Sequence, residues 1–186
     1  MPDQTTYCYD LEFFEDGRTI ELISIGIVSD TGREYYAVNS EMPFARIRDN
    51  DWLMANVWPS LPLCGRRRDT GYPNTESDGF LDTSSTLVRP RFVIANEVRE
   101  FLLDEDEPVL WADYGAYDHV ALCQLWGPMI RKPAGIPMWT HDLEQAIELV
   151  PGFVKPEQET GQHNALEDAR HNLRVLNALR EASANA

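Results

Sequence analysis

Three runs rich in β-branched and aromatic residues, separated by two turn sequences, occupy about the first 40 residues of the chain. The runs cover residues 7–14, 19–28 and 34–38, and the turns are Glu-Asp-Gly at 15–17 and Asp-Thr-Gly at 30–32. Short turns rich in Gly and Asp typically join neighbouring antiparallel strands. The sequence therefore predicts a three-stranded antiparallel meander at the start of the fold.

Helical and strand patterns alternate after this meander. Apolar positions including Phe44, Ile47 and Trp52 predict a helix up to about residue 58, and Pro and Gly residues between 59 and 79 then mark a long irregular loop. Pro90 is predicted to begin the next helix, and a short buried strand is predicted at 109–112. Because a strand that follows a helix implies a crossover connection, we expect this strand to be parallel to its neighbour.

Three further helices are predicted, at 116–126, at 141–149 and from Asn164 onwards. The length of 186 residues suits one domain, residues 1–186, with a divergent, loop-rich insertion or lid at about 45–89. The expected fold class is α/β. Its mixed sheet would contain the antiparallel meander followed by one or more parallel strands, with helices on its faces.

The net charge of −15 comes from 31 acidic and 16 basic residues, and an acidic surface repels the phosphates of nucleic acids. An acidic protein can still bind phosphate through divalent cations, because the cations supply the positive charge. Candidate basic contacts are the Arg66-Arg67-Arg68 run and the pair Arg89 and Arg91. The alternative interpretation of the run is a solvated loop.

The three cysteines, Cys8, Cys64 and Cys123, form neither a disulfide framework nor a zinc knuckle pattern. The first residues carry no basic and apolar leader pattern, and no stretch approaches the roughly 18 apolar residues of a membrane span. We therefore expect a cytoplasmic protein without a membrane partner.

Asp10 and Glu12 lie two residues apart in the first predicted strand. Side chains alternate along a strand, so both carboxylates project from one face, while Leu11 and Phe13 point to the other, towards the expected core. Two neighbouring carboxylates on a buried face require a compensating cation such as Mg²⁺ or Mn²⁺. On a solvated strand, the alternative interpretation, they require none.

Two later elements carry further candidates. A turn containing Gly115 follows a strand and places Asp118 at the beginning of a helix, where an acidic residue is also favourable for the helix alone. His163 and Asp168 would be about 140° apart if they shared one helix, too far to converge. We therefore expect His163 in the preceding loop, where Gly161 gives the backbone freedom. Taken alone, His163 is also compatible with an ordinary surface histidine.

The order Asp-x-Glu, then Tyr-Asp, then His-x-x-x-x-Asp resembles the DEDDh family of 3′-to-5′ exonucleases, whose fold is ribonuclease H-like. Longer segments resemble the actinobacterial group of polyadenylate-specific 3′-exoribonuclease AS; they cover residues 9–13, 19–26, 33–38 and 115–129. The resemblance extends over most of 7–40 and 90–180 and is weak between about 45 and 89.

The resemblance implies that four acids hold two divalent ions, Mg²⁺ with Mn²⁺ as a substitute, and that His163 is the general base. The four acids are Asp10, Glu12, Asp118 and Asp168. It also implies RNA with a free, adenylate-rich 3′ end as substrate, and a homodimer. Phe13 and Tyr117 are candidate contacts for the terminal nucleotide, since aromatic rings stack on bases.

Two positions leave the ligand set open. Many relatives have a His-Asn pair shortly before the second aspartate, whereas this chain has Asp113 and Tyr114, so Asp113 is a rival or accessory acid. Asp142 is interpreted as a helix N-terminal residue rather than a ligand.

The alternative functions are a DNA 3′-to-5′ exonuclease of the same fold, and a catalytically silent metal-binding interaction domain.

Overall fold

The computed structural model describes residues 4–65, 79–104 and 107–184. The strands are β1 (Gln4–Glu15), β2 (Ile20–Ser29), β3 (Glu34–Asn39), β4 (Leu63–Cys64), β5 (Phe80–Leu81), β6 (Val88–Arg89), β7 (Glu107–Ala112) and β8 (His141–Asp142). The helices are α1 (Phe44–Arg48), α2 (Asp51–Asn56), α3 (Arg91–Leu103), α4 (Ala116–Gln124), α5 (Leu143–Glu148) and α6 (Ala165–Ala184). Two short 3₁₀ turns lie at Trp58–Ser60 and Met129–Arg131.

The main sheet has six strands in the order β6-β3-β2-β1-β7-β8. The pairs β1 with β2 and β2 with β3 are antiparallel, which confirms the predicted meander. Strand β7 is parallel to β1, and β8 is parallel to β7. A mixed sheet in which a meander precedes parallel strands, with helices packed on it, is the arrangement expected of a ribonuclease H-like fold.

The alternation along β1 divides the core between the two faces of the sheet. Tyr9 and Leu11 pack with Ile94 and Leu122 of α3 and α4 in one cluster of buried residues. Cys8, from the opposite face of β1, packs in another cluster that includes Val175 and Leu176 of α6. Asp10 and Glu12 lie on the same face of β1 as Cys8 and therefore face α6.

The predicted helix over 44–58 is two short helices. Helix α1 ends at Arg48, and the side chain of Asn50 accepts a hydrogen bond from the backbone N–H of Leu53, which makes Asn50 the N-cap of α2. Because a capping side chain satisfies an otherwise unpaired N–H, it favours a new helix start over continuation of the first. Leu53 and the 3₁₀ residue Trp58 are buried, in one cluster with Ile23 of the sheet.

The boundaries of two other helices also differ from the prediction. Residues His141–Asp142 pair with Trp111–Ala112 as a strand, so the helix predicted from 141 begins at Leu143. The helix predicted to reach 126 ends at Gln124. In the part of the chain that the structure describes, no helix combines the length and apolar character needed to cross a bilayer.

Candidate functional site

Three of the predicted acids, Asp10, Glu12 and Asp168, meet on the α6 face of the sheet. One carboxylate oxygen from each lies within 4.8 Å of the others. Glu12 is buried, with 8% of its surface exposed, so the solvated-strand interpretation of the Asp-x-Glu pair is excluded. The group offers oxygen ligands from β1 and from the first turn of α6, and hard divalent cations prefer oxygen ligands.

A close approach of two backbones brings Asp168 to the strand. Gly26 of β2 lies opposite Asp10, and a Cβ atom placed on Gly26 would be 2.2 Å from the carbonyl oxygen of Ala165, the first residue of α6. Only a residue without a side chain permits this contact, so Gly26 sets the distance between the sheet and α6. The carboxylate of Asp168 is further oriented by Gln158, whose Nε2 donates to Oδ1 at 2.7 Å.

Asp118, the fourth predicted acid, lies beside this group rather than within it. Strand β1 pairs with β7 only from Gln4 to Cys8, and the backbone N–H of Leu11, farther along β1, donates to Asp118 Oδ1 at 2.8 Å. One oxygen of Asp118 thus has a backbone partner, and the residue is buried. Its charge still acts on the three-acid group, because it raises the pKa of both Asp10 and Glu12.

Burial and mutual repulsion make the four acids hard to ionise together. Burial raises the pKa of Glu12 to about 8, and the charges of Asp168 and Asp118 add to the effect. The pKa of Asp10 is raised well above its ordinary value, first by burial and then by the neighbouring Asp118, Glu12 and Asp168. Burial also raises the pKa of Asp118. A divalent cation among these oxygens would reverse the effect, so the donor set fits a metal ion.

His163 lies in the loop before α6, as predicted, because α6 begins at Ala165. Its Nδ1 is 4.0 Å from Oε1 of Glu12, and 38% of its side chain is exposed. The residue has a φ of 62°, in the left-handed region, and Gly161 just before it has a φ of 77°. This backbone path carries the imidazole to the edge of the three-acid group.

Two residues of the 45–89 region that the sequence pattern did not single out for the site contact His163. The hydroxyl of Ser60 donates to the His163 carbonyl oxygen at 2.7 Å. The rings of Trp52 and His163 meet edge to face, with centroids 4.9 Å apart and an interplanar angle of 78°. Trp52 was predicted only as an apolar helix position, yet it is 53% exposed.

Asp113, the rival acid, has a cationic partner. Its Oδ2 accepts from Lys155 Nζ at 2.7 Å, and Lys155 also contacts Glu144 Oε1 at 2.6 Å. Asp113 is not a member of the three-acid group, although its charge contributes to the raised pKa of Asp10. Asp142 is the N-cap of α5, as predicted, and its Oδ2 also accepts from the backbone N–H of Gly115 at 2.8 Å.

The two predicted nucleotide contacts form a stacked aromatic pair. The rings of Phe13 and Tyr117 have centroids 6.2 Å apart and an interplanar angle of 15°. Phe13 packs against the core on the α4 side, as its place in the alternation predicted, while Tyr117 is 57% exposed. The pair therefore presents an aromatic surface to solvent from the first turn of α4, next to Asp118.

The basic candidates are engaged within the protein or fall outside its described part. Arg89 Nε lies 3.3 Å from Glu97 Oε2. The guanidinium of Arg91 donates to the carbonyl oxygen of Gln124. The run of arginines at 66–68 lies outside the described residues.

Comparison with known proteins places the chain in a family. It is 44% identical over 170 residues to a 3′-5′ exoribonuclease of Mycobacterium tuberculosis strain CDC 1551 and to one of strain H37Rv. Each match covers 90% of this chain and 89% of the relative. No family model matches the chain. Identity of this extent over nearly the whole length of both partners shows that the chain belongs to the family of these 3′-5′ exoribonucleases.

Proposed function

We propose that this protein is a metal-dependent 3′-to-5′ exoribonuclease of the DEDDh type. The observation that carries the proposal is the meeting of Asp10, Glu12 and Asp168 within 4.8 Å, with His163 at the edge of the group. The two mycobacterial relatives are named 3′-5′ exoribonucleases, which supports RNA as the substrate and the 3′ end as the starting point.

Asp10, Glu12 and Asp168 would hold Mg²⁺ directly, with Mn²⁺ as a substitute, and Asp118 would complete a site for two ions. Two bound ions about 3.5 to 4 Å apart stabilise both the attacking and the leaving oxygen of an in-line phosphodiester displacement. The protein contributes the arrangement of its acids, which β1 and α6 fix before any substrate arrives. Asp118 also keeps the strand edge of β1 in place through its hydrogen bond with Leu11.

His163 is the proposed general base. The imidazole takes a proton from the water that attacks the terminal phosphorus, and the bond between phosphorus and the 3′ oxygen breaks. A proton from solvent converts that oxygen to the 3′-hydroxyl of the shortened RNA, and a nucleoside 5′-monophosphate is released. A histidine suits this role because a neutral imidazole nitrogen accepts a proton from water and can return it to solvent. The partial exposure of its side chain gives the proton a path to solvent.

Phe13 and Tyr117 are the proposed platform for the terminal base. A base that stacks on the exposed ring of Tyr117 would gain about 1 to 3 kcal/mol. A purine presents a larger stacking surface than a pyrimidine, so such a platform is compatible with the adenylate preference that the family resemblance implies. That resemblance also supports a homodimer, and sedimentation measures its mass directly. The length of the chain supports one exonuclease domain, and the three cysteines without a pairing pattern support a cytoplasmic protein.

Digestion of a 5′-labelled oligo(A) RNA, with and without Mg²⁺, tests the proposal. Stepwise shortening of the labelled strand in the presence of Mg²⁺ is the expected result. Immediate release of a labelled mononucleotide would mean that digestion starts at the 5′ end and would contradict the proposal. Equal or faster digestion of a matched oligo(dA) would favour the DNA exonuclease alternative. Absence of hydrolysis under all metal conditions would favour the silent metal-binding domain.

A further inference from the structure

Trp52 has an unusual environment for a helix residue of its size. It lies on α2, within the predicted insertion at about 45–89, and its ring meets the ring of His163 edge to face at 4.9 Å. More than half of the Trp52 surface remains exposed. The contact with His163 therefore does not arise from burial of Trp52 in the core.

The helix that carries Trp52 is firmly attached to the sheet. Leu53, Val57 and Trp58 are 4%, 1% and 2% exposed, respectively, and belong to a cluster with Ile23 and Val38 of the sheet. Since these neighbours in the chain are immobilised by packing, Trp52 is presented to the active site from a rigid support. Trp52 is thus able to restrict the orientation of a side chain that rests against it.

His163 needs such a restriction more than the acids do. The acids lie on a strand and on a helix, whereas His163 lies in a loop with a φ of 62°, a conformation that is unfavourable for a residue with a side chain. Ser60 contacts this loop at two points. Its hydroxyl lies 2.7 Å from the His163 carbonyl oxygen and 2.8 Å from that of Val57, and shares its one proton between them. Its own carbonyl oxygen accepts from Asn164 Nδ2 at 3.3 Å.

We propose that Trp52 and Ser60 are positioning residues that together hold His163 in its working orientation. Ser60 fixes the backbone of the loop, and Trp52 limits rotation of the imidazole, so that Nδ1 stays on the side of Glu12. This inference rests on the proposed role of His163 as general base. It gives residues 52–60, which lie in the predicted insertion, a function in completing the active site.

Steady-state kinetics on oligo(A) RNA with Mg²⁺ separate positioning from substrate binding. A loosened base lowers kcat, because a misplacement of about 1 Å costs roughly 10²-fold in rate. We expect Trp52→Ala to lower kcat by about 10- to 100-fold with KM within about 2-fold, and Trp52→Phe, which keeps an aromatic ring, to recover most of the loss. Ser60→Ala is expected to lower kcat in the same way but less. Trp139→Ala is the matched control, since Trp139 is 60% exposed and meets the ring of another histidine, His141.

Nuclear magnetic resonance of the histidine rings provides a readout that needs no activity. His163 is one of four histidines, so its ring signals are assigned by their loss in His163→Ala. Trp52→Ala should shift these signals, because the ring current of the indole is removed, while Trp139→Ala should leave them in place. If the wild-type protein lacks activity but the shift occurs, the proposed function fails and the contact stands.

Two results would overturn the inference. One is an unchanged kcat in Trp52→Ala while His163→Ala abolishes turnover. The other is a rise in KM alone with unmoved His163 signals, which would make Trp52 a contact for the substrate base instead.

Discussion

Replacing Gly26 by alanine tests how the site is assembled. The new Cβ would lie 2.2 Å from the Ala165 carbonyl oxygen and 2.4 Å from the Leu166 nitrogen, whereas ordinary van der Waals contact begins at 3.4 Å. The start of α6 must therefore retreat from β2 by about 1.2 Å. Because Asp168 lies in the first turn of α6, its carboxylate would move away from Asp10 and Glu12 by a similar distance.

This displacement is expected to lower both the stability and the turnover of the variant. Forcing an extra methyl into a packed contact costs about 1 to 3 kcal/mol, which corresponds to a fall in Tm of roughly 2 to 12 °C for a chain of this length. Misplacing a metal ligand by about 1 Å is expected to lower kcat by about 100-fold at temperatures where the variant is still folded. Thermal unfolding and Mg²⁺-dependent hydrolysis of oligo(A) measure the two effects separately.

Gly65→Ala is the matched control for Gly26→Ala. A Cβ on Gly65 would meet no atom of the described residues within 4 Å, so this variant should keep both Tm and kcat. Wild-type stability and turnover in Gly26→Ala would refute the reasoning, because they would mean that the approach of α6 to β2 does not set the geometry of the acids.

Four further predictions concern single residues. His163→Ala should lower kcat by about 10² to 10⁴-fold while calorimetry shows unchanged Mg²⁺ binding, and a wild-type rate would contradict the role of the base. Asp10→Asn should lose both Mg²⁺ affinity and turnover, measured by the same two assays. Burial raises the pKa of Glu12 from 4.5 to about 8, so the folded, metal-free protein holds this proton more tightly than the unfolded chain does. Its Tm should therefore fall as pH rises from about 4.5 to about 8. Glu12→Gln should make that fall smaller, and the raised pKa values of Asp10 and Asp118 account for the part that remains. Asp142→Ala removes the cap of α5 and should lower stability by about 1 kcal/mol in denaturant unfolding, with an unchanged midpoint counting against the cap.

Local periodicity was sufficient to predict much of the framework. The alternation in β1 placed Asp10 and Glu12 on one face and Leu11 on the other, and the structure has this arrangement. The angular argument that separated His163 from the last helix was also correct, since α6 begins at Ala165. These features depend on a few neighbouring residues, so a single sequence contains the information.

Contacts between distant segments could not be predicted in this way. Ser60 and Trp52 are separated from His163 by more than 100 residues, and no local pattern indicates that they meet. The partners of Asp168 and Asp113, Gln158 and Lys155, lie in an irregular connection that has no periodicity. The break between α1 and α2 did have a local signal, because Asn50 is a typical N-cap residue.

Anomalous diffraction from crystals soaked in Mn²⁺ tests the central claim, that acids from separate elements gather to hold divalent cations. The account predicts anomalous density among the carboxylates of Asp10, Glu12 and Asp168, which disappears in crystals of Asp10→Asn. Absence of density there, at a Mn²⁺ concentration that supports RNA hydrolysis in solution, would contradict it.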